Sequence, residues 1–199
     1  MSIRVVALLI AMVALPILTH AADNKGAETA AVAERAALLQ TVGRGSNITS
    51  NNQQYQILTG VRAVESLPQE EPQQTLTRMG GGKLIETNGT FVVFTVDQQS
   101  AASVTSVNGT SYPTAFNPAT GGIGIVPGTL NVKLKNMGQA AAIAADHGLE
   151  VVRVFAHLKT AFFRVKTGRD VVAATATLTT DARVVSAEAE VIEHRYIPH

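Results

Sequence analysis

The chain has 199 residues, with 16 Lys and Arg against 15 Asp and Glu, a net charge of +1 and no cysteine. That balance leaves no electrostatic footprint for nucleic acid or anionic lipid. The missing cysteines exclude a disulfide scaffold and a thiolate metal site, so one or two small domains have to rest on their hydrophobic core alone.

The first stretch, MSIRVVALLIAMVALPILTHAADNKG, carries one positive residue, Arg4, an apolar run from Val5 to Leu18, then Thr19-His20-Ala21. This is the pattern of a secretory signal peptide over residues 1–21. The apolar run is shorter than the ~20 residues of a membrane span, so an uncleaved anchor is the weaker alternative. The expectation is an exported bacterial protein, periplasmic or secreted, with no membrane association after cleavage behind Ala21.

Residues 26–42 predict a helix with a loose apolar stripe, and the Asn-, Gln- and Gly-rich stretch that follows reads as a polar linker with a short element around Tyr55–Val64. Residues 22–79 are therefore expected to be an N-terminal helix and poorly ordered linker. The glycines Gly80–Gly82 mark a break. Beyond them, residues 83–96 predict a β-hairpin around an Asn88-Gly89 type I′ turn, and the Gly- and Pro-rich stretch from Asn108 to Gly128 reads as loop. Residues 80–127 form this hairpin and Gly/Pro-rich segment.

From Gly128 the signals become regular. Thr129–Lys135 alternates Leu130, Val132 and Leu134 against Asn131, Lys133 and Lys135, which predicts a strand with one buried face. Asn136 with Gln139 three residues on resembles a capping box for a helix that ends at Gly148. Strands follow at Leu149–Ala156 and Thr160–Lys166. Asp170 then opens a second helix with Val171, Ala174, Thr175 and Leu178 on one face, and Arg183–Glu193 alternates again. The order β-α-β-β-α-β over residues 128–199 predicts an α+β fold: a ferredoxin-like antiparallel sheet with two helices on one face.

Period two places Val185, Ala187, Ala189 and Val191 inward, and Ser186, Glu188 and Glu190 outward. It also sends Val152 and Val154 to the helix-free side with Phe162 and Arg164. Apolar residues among charges on such a face suit an interface, unless residues 83–126 cover it. No metal, cofactor or catalytic site is expected. His147, His157, His194 and His199 lack ligand spacing, no G-x-S-x-G or S-x-x-K context marks a nucleophile, and Gly80-Gly81-Gly82-Lys83 is not a P-loop. His147 is expected to serve the helix C-terminus.

Residues 128–199 resemble the propeptide of subtilisin-like serine proteases and the stand-alone peptidase inhibitors of that type. The matching stretches are Val132-Lys133-Leu134, Asp146-His147-Gly148, Val151–Phe155, Asp181-Ala182-Arg183-Val184, and the run from Val185 to Val191. The resemblance implies a non-enzymatic module that binds a subtilisin-like serine protease in trans, because no protease domain follows His199. It further implies that Glu188 and Glu190 cap helices of the partner beside Phe162 and Arg164. By the same resemblance Tyr196, Ile197, Pro198 and His199 lie product-like in the cleft by strand addition. Tyr196 would take a large apolar subsite, Pro198 would lower the ordering cost, and the His199 carboxylate would sit near the catalytic serine. A solvated acidic strand and a frayed terminus are the plainer readings of the same residues. For the whole chain, the alternative is a structural or adaptor protein of the bacterial envelope or secretion machinery, since this superfold serves many roles.

Overall fold

The structure, a computed structural model, describes residues 33, 36–96 and 111–193. The chain divides into two compact units, residues 1–37 and 38–199, and the elements below belong to the second. The segment expected as a signal peptide lies outside the described residues, as do the tail residues Tyr196–His199.

The polar stretch from Gly43 onward, expected as linker, is sheet. Strands β1 (Gly43–Ser50) and β2 (Gln53–Glu65) form an antiparallel hairpin, Ser50 opposite Gln53. The two-residue turn is Asn51-Asn52, with φ of +50° and +62°. A type I′ turn needs both central residues left-handed, and Asn tolerates that region through local hydrogen bonding. The Asn-rich composition that suggested a linker thus supplies a turn. A short helix, α1 (Pro72–Arg78), follows, closed at its start by reciprocal Glu71 and Gln74 bonds.

The hairpin expected at 83–96 is present as β3 (Leu84–Asn88) and β4 (Phe91–Thr95), with its turn one residue later than expected. Asn88 pairs with Phe91, so Gly89 and Thr90 are the loop residues. Gly89 has φ +61° and Thr90 is not left-handed, which excludes type I′. The stretch read as loop also holds two strands, β5 (Ser111–Phe116) and β6 (Ile123–Ile125).

The second half follows the expected order. Strand β7 (Thr129–Leu134) leads to a 3₁₀ turn at Met137–Gln139 and helix α2 (Ala140–His147). Next come β8 (Leu149–Phe155), β9 (Thr160–Val165), helix α3 (Val171–Thr179) and β10 (Val184–Ala189). Asn136 accepts from Gly138 N across the 3₁₀ turn, and Gln139 makes no side-chain cap, so the expected capping box is replaced by a tighter turn. Asp170 accepts from Val172 N and Ala173 N at the start of α3.

Among the described residues there are two mostly antiparallel sheets and few helices. One sheet runs β11-β6-β5-β2-β4-β3, with β1 beside the first half of β2; the other runs β10-β7-β9-β8. The last strand, β11 (Ile192–Glu193), leaves the second sheet and pairs with β6 of the first, Ile192 opposite Ile125 and Glu193 opposite Gly124. One core joins the sheets. Ile48, Tyr55, Ile57, Ala115 and Val126 pack in the same cluster as Leu130, Val132, Phe163, Ile143 and Leu178. A second cluster holds Leu58, Val61, Ala63, Val93 and Ile125.

Candidate protein-interaction site

Helices α2 and α3 bury Ala140, Ile143, Ala144, Val171 and Leu178. Leu130, Val132, Leu134, Ala161, Phe163 and Val165 alternate as the buried residues of β7 and β9 in the same cluster. The opposite side chains of these strands occupy a helix-free face. Phe162 is half-buried and lies opposite Asn131 on β7 and Arg153 on β8. Its ring meets Phe155 edge-on at 5.7 Å, and the Arg153 guanidinium stands 5.6 Å from the Phe155 ring centre. Arg164 is exposed, opposite Thr129 and Glu150. Lys133 is exposed between Ser186 and Thr160.

Two β-bulges correct the expected phases. In β8 the register shifts between Val151 and Arg153: Val151 pairs with Phe163, Arg153 with Phe162 and Val154 with Ala161. Arg153 and Phe155, not Val152 and Val154, therefore join Phe162. In β10 the register shifts between Val184 and Ser186. Val184 is then the buried residue and Val185 is 63% exposed. An inserted residue reverses the alternation beyond it.

Glu188 faces outward as expected, opposite Asn131, and its carboxylate accepts a backbone N–H from within the same chain, Asn51 N at 2.9 Å. The β1–β2 turn thus touches the β10 border of the face. Glu190 is half-buried just past β10, its N–H donating to Thr129 O at 2.8 Å.

The described chain ends in a dense polar knot. Glu193 accepts from Tyr55 OH at 3.1 Å, Asn117 Nδ2 at 2.9 Å and Thr120 Oγ1 at 2.5 Å. Val191 N donates to Ser50 Oγ at 3.2 Å. The strand leading to the tail is therefore held by the first sheet. Glu193 was not singled out by the sequence, because its partners are scattered over distant segments.

The two short runs singled out in the resemblance, Asp146-His147-Gly148 and Asp181-Ala182-Arg183-Val184, meet. His147 Nε2 lies 2.8 Å from Asp181 Oδ2, Arg183 donates to Asp181 at 2.6 Å, and it bridges to Asp146 at 2.8 Å. Hydrogen bonds from Arg183 first, then His147, hold the Asp181 carboxyl well below the usual carboxylate range. The α2 C-terminus is capped by Arg169, donating to His147 O at 3.0 Å, whereas His147 turns to Asp181. Asp146, His147, Arg169 and Asp170 line a cleft of about 380 Å³ between α2 and α3, and their polar groups are engaged in these bonds and the α3 cap. Among the described residues no group of three or more His, Asp or Glu could hold a metal ion.

No curated protein matches the chain. A chain in the crystal structure of the Aeromonas sobria serine protease (ASP) and chaperone (ORF2) complex is 25% identical, over 47% of this chain and 96% of that one, with a TM-score of 0.38. The family described as open reading frame 2 N-terminal domain matches residues 30–198. With a match over most of its length, the chain belongs to the open reading frame 2 N-terminal domain family.

Proposed function

We propose that the chain is an exported, non-enzymatic chaperone and inhibitor that binds a subtilisin-like serine protease in trans. The observation that carries the reading is the four-stranded antiparallel sheet β10-β7-β9-β8, with the buried residues of α2 and α3 packed on one face and Phe155, Phe162, Lys133 and Arg164 on the other. It agrees with the propeptide resemblance of residues 128–199, and a serine protease is also what the Aeromonas ORF2 chaperone accompanies in its complex. In this reading the helix-free face docks on the enzyme, with Phe162 and Phe155 as the apolar centre and Arg164 at its side. Glu190 caps a helix of the enzyme, and Glu188 does so with the Asn51 turn beside it. Tyr196, Ile197, Pro198 and His199 then lie in the substrate cleft as a slowly released product. A partner that binds only native-like protease also favours its folding by mass action.

Titrating a subtilisin-like protease from the same genome with the purified protein tests this. Inhibition at micromolar protein is expected. Removal of residues 194–199 weakens it at least tenfold (about 1.4 kcal/mol or more) without moving the unfolding midpoint. Full protease activity at micromolar protein, together with no gain in refolding yield of the denatured protease, refutes the proposal.

A further inference from the structure

Among the described residues strand β8 is an edge of the second sheet, and an edge presents unpaired N–H and C=O groups that invite another strand. Natural edges are guarded by lysine, proline or a covering loop. Here Val151, Val152 and Val154 are 38%, 45% and 41% exposed, and Leu158 just beyond is 58% exposed. The bulge gives this edge an unusual property. In a regular strand residues three apart point to opposite faces. Across the bulge, Glu150 lies opposite Arg164 and Arg153 opposite Phe162, so the acid and the base share the helix-free face.

That arrangement is self-complementary. We propose that β8 is a dimerisation edge whose occupant is the β8 of a second copy. The two strands run antiparallel about a two-fold axis between Val151 and Val152. Glu150 of each copy then faces Arg153 of the other, twice over, on the helix-free side. Leu149 faces Val154 on the helix side, consistent with their own pairings to Val165 and Ala161. The valines at 151 and 152 fill the centre. Like faces meet like faces in this register, which an unbulged strand could not achieve for residues at odd separation. The symmetric product is one eight-stranded sheet, β10-β7-β9-β8 continued by its own reverse, through an isologous contact. The β10 edge and the root of the tail at β6 stay away from the axis, whereas Glu150 and Arg153 lie on the helix-free face, so the inference is tested by association of the chain with itself and not by protease binding. One strand pair buries well under the ~1,200 Å² of a stable complex, so the dimer is weak and reversible.

Sedimentation equilibrium of the protein expressed from its full sequence, loaded from about 5 µM to about 1 mM to bracket a weak complex, reads the association. The weight-average mass is expected to rise towards twice the monomer. Glu150→Arg and Arg153→Glu, each opposing like charges, weaken association at least tenfold, and the double charge swap restores it to within about threefold of the wild type. Val152→Lys, at an exposed position, weakens it likewise and replaces either single variant whose circular dichroism differs from the wild type. A monomeric wild type at every concentration, single variants that associate like the wild type, or a double swap no better than the singles overturns the proposal.

Discussion

Replacing Gly124 with alanine probes the join between the last strand and the first sheet. Gly124 sits in β6 opposite Glu193. A Cβ there would land on Val191 Cγ1, far inside van der Waals contact. Val191 cannot step aside freely, because it is 9% exposed, belongs to the core shared by the two sheets, and its N–H donates to Ser50 Oγ. Overpacking of this kind costs about 1–3 kcal/mol. Val191→Ala alone removes two methyl groups, ~1.6 kcal/mol of transfer free energy at about 0.8 each, and near 2 with the cavity left behind. In the double variant the alanine methyl at 124 enters the space that valine vacates. Its cost is expected to be at least about 1 kcal/mol less than the sum of the singles. Urea unfolding at constant m-value measures all three. If the two substitutions add within about 0.5 kcal/mol, the packing of β11 against β6 is not as described. The same variants connect to the proposed function: if the chain inhibits its protease as proposed, Gly124→Ala should weaken that inhibition under conditions where it remains folded, and Val191→Ala in the same chain should restore part of it.

The Asp181 knot makes stability pH-dependent. Its folded carboxyl is held low by Arg183 and His147, so its contribution is fully present above the unfolded value of about 3.9 and is lost as pH falls through the lower folded value. Thermal midpoints measured from neutral to strongly acidic pH should therefore fall in the wild type and fall less in Asp181→Asn, which starts lower; parallel curves would show that the knot contributes nothing. Phe162→Ala removes a half-buried ring and its edge-on contact with Phe155, a contact of about 0.5–1.5 kcal/mol. It should lower stability modestly and weaken protease binding at least tenfold by titration; unchanged binding would remove the helix-free face from the interface.

What could be read in the sequence follows the physics of each half. In residues 128–193 the helices cover one face of the sheet, so β7 and β9 alternate cleanly and Gly148 and Asp170 mark helix ends. The first half lacks that signature. Strand β2 is flanked by β1 and β4 on one edge and β5 on the other, and Ile57 and Leu58 face different core clusters. Its buried residues form a near-continuous run broken at Gly60, whose φ is +84°. Strands β5 and β6 carry Pro113 and Gly124, residues that signal loops, and hold their shape through pairing with β2 and β11 far away in sequence. The two bulges were illegible because an inserted residue has no composition of its own. They decide the details that strict alternation missed: Arg153 and Phe155 on the face, and Val185 in solvent.

The first sheet also explains how a propeptide-like module could present a tail. In a bare four-stranded module the chain leaving β10 would start from a free strand end. Here it passes through Val191 in the shared core, pairs along β6 and is tied at Glu193 by Tyr55, Asn117 and Thr120. Every one of those anchors comes from residues 43–126. In the proposed complex, that fixed point of departure would raise the effective concentration of the tail near a partner held on the helix-free face. It would also lower the ordering cost of binding. The same anchors make the halves interdependent, since Ile48, Tyr55, Ile57, Ala115 and Val126 complete the core on which β7 and β10 rest. The N-terminal half is then best understood as the frame of the last strand: Ser50 and Tyr55 come from the stretch that read as a linker, and Asn117 and Thr120 from the stretch that read as a loop.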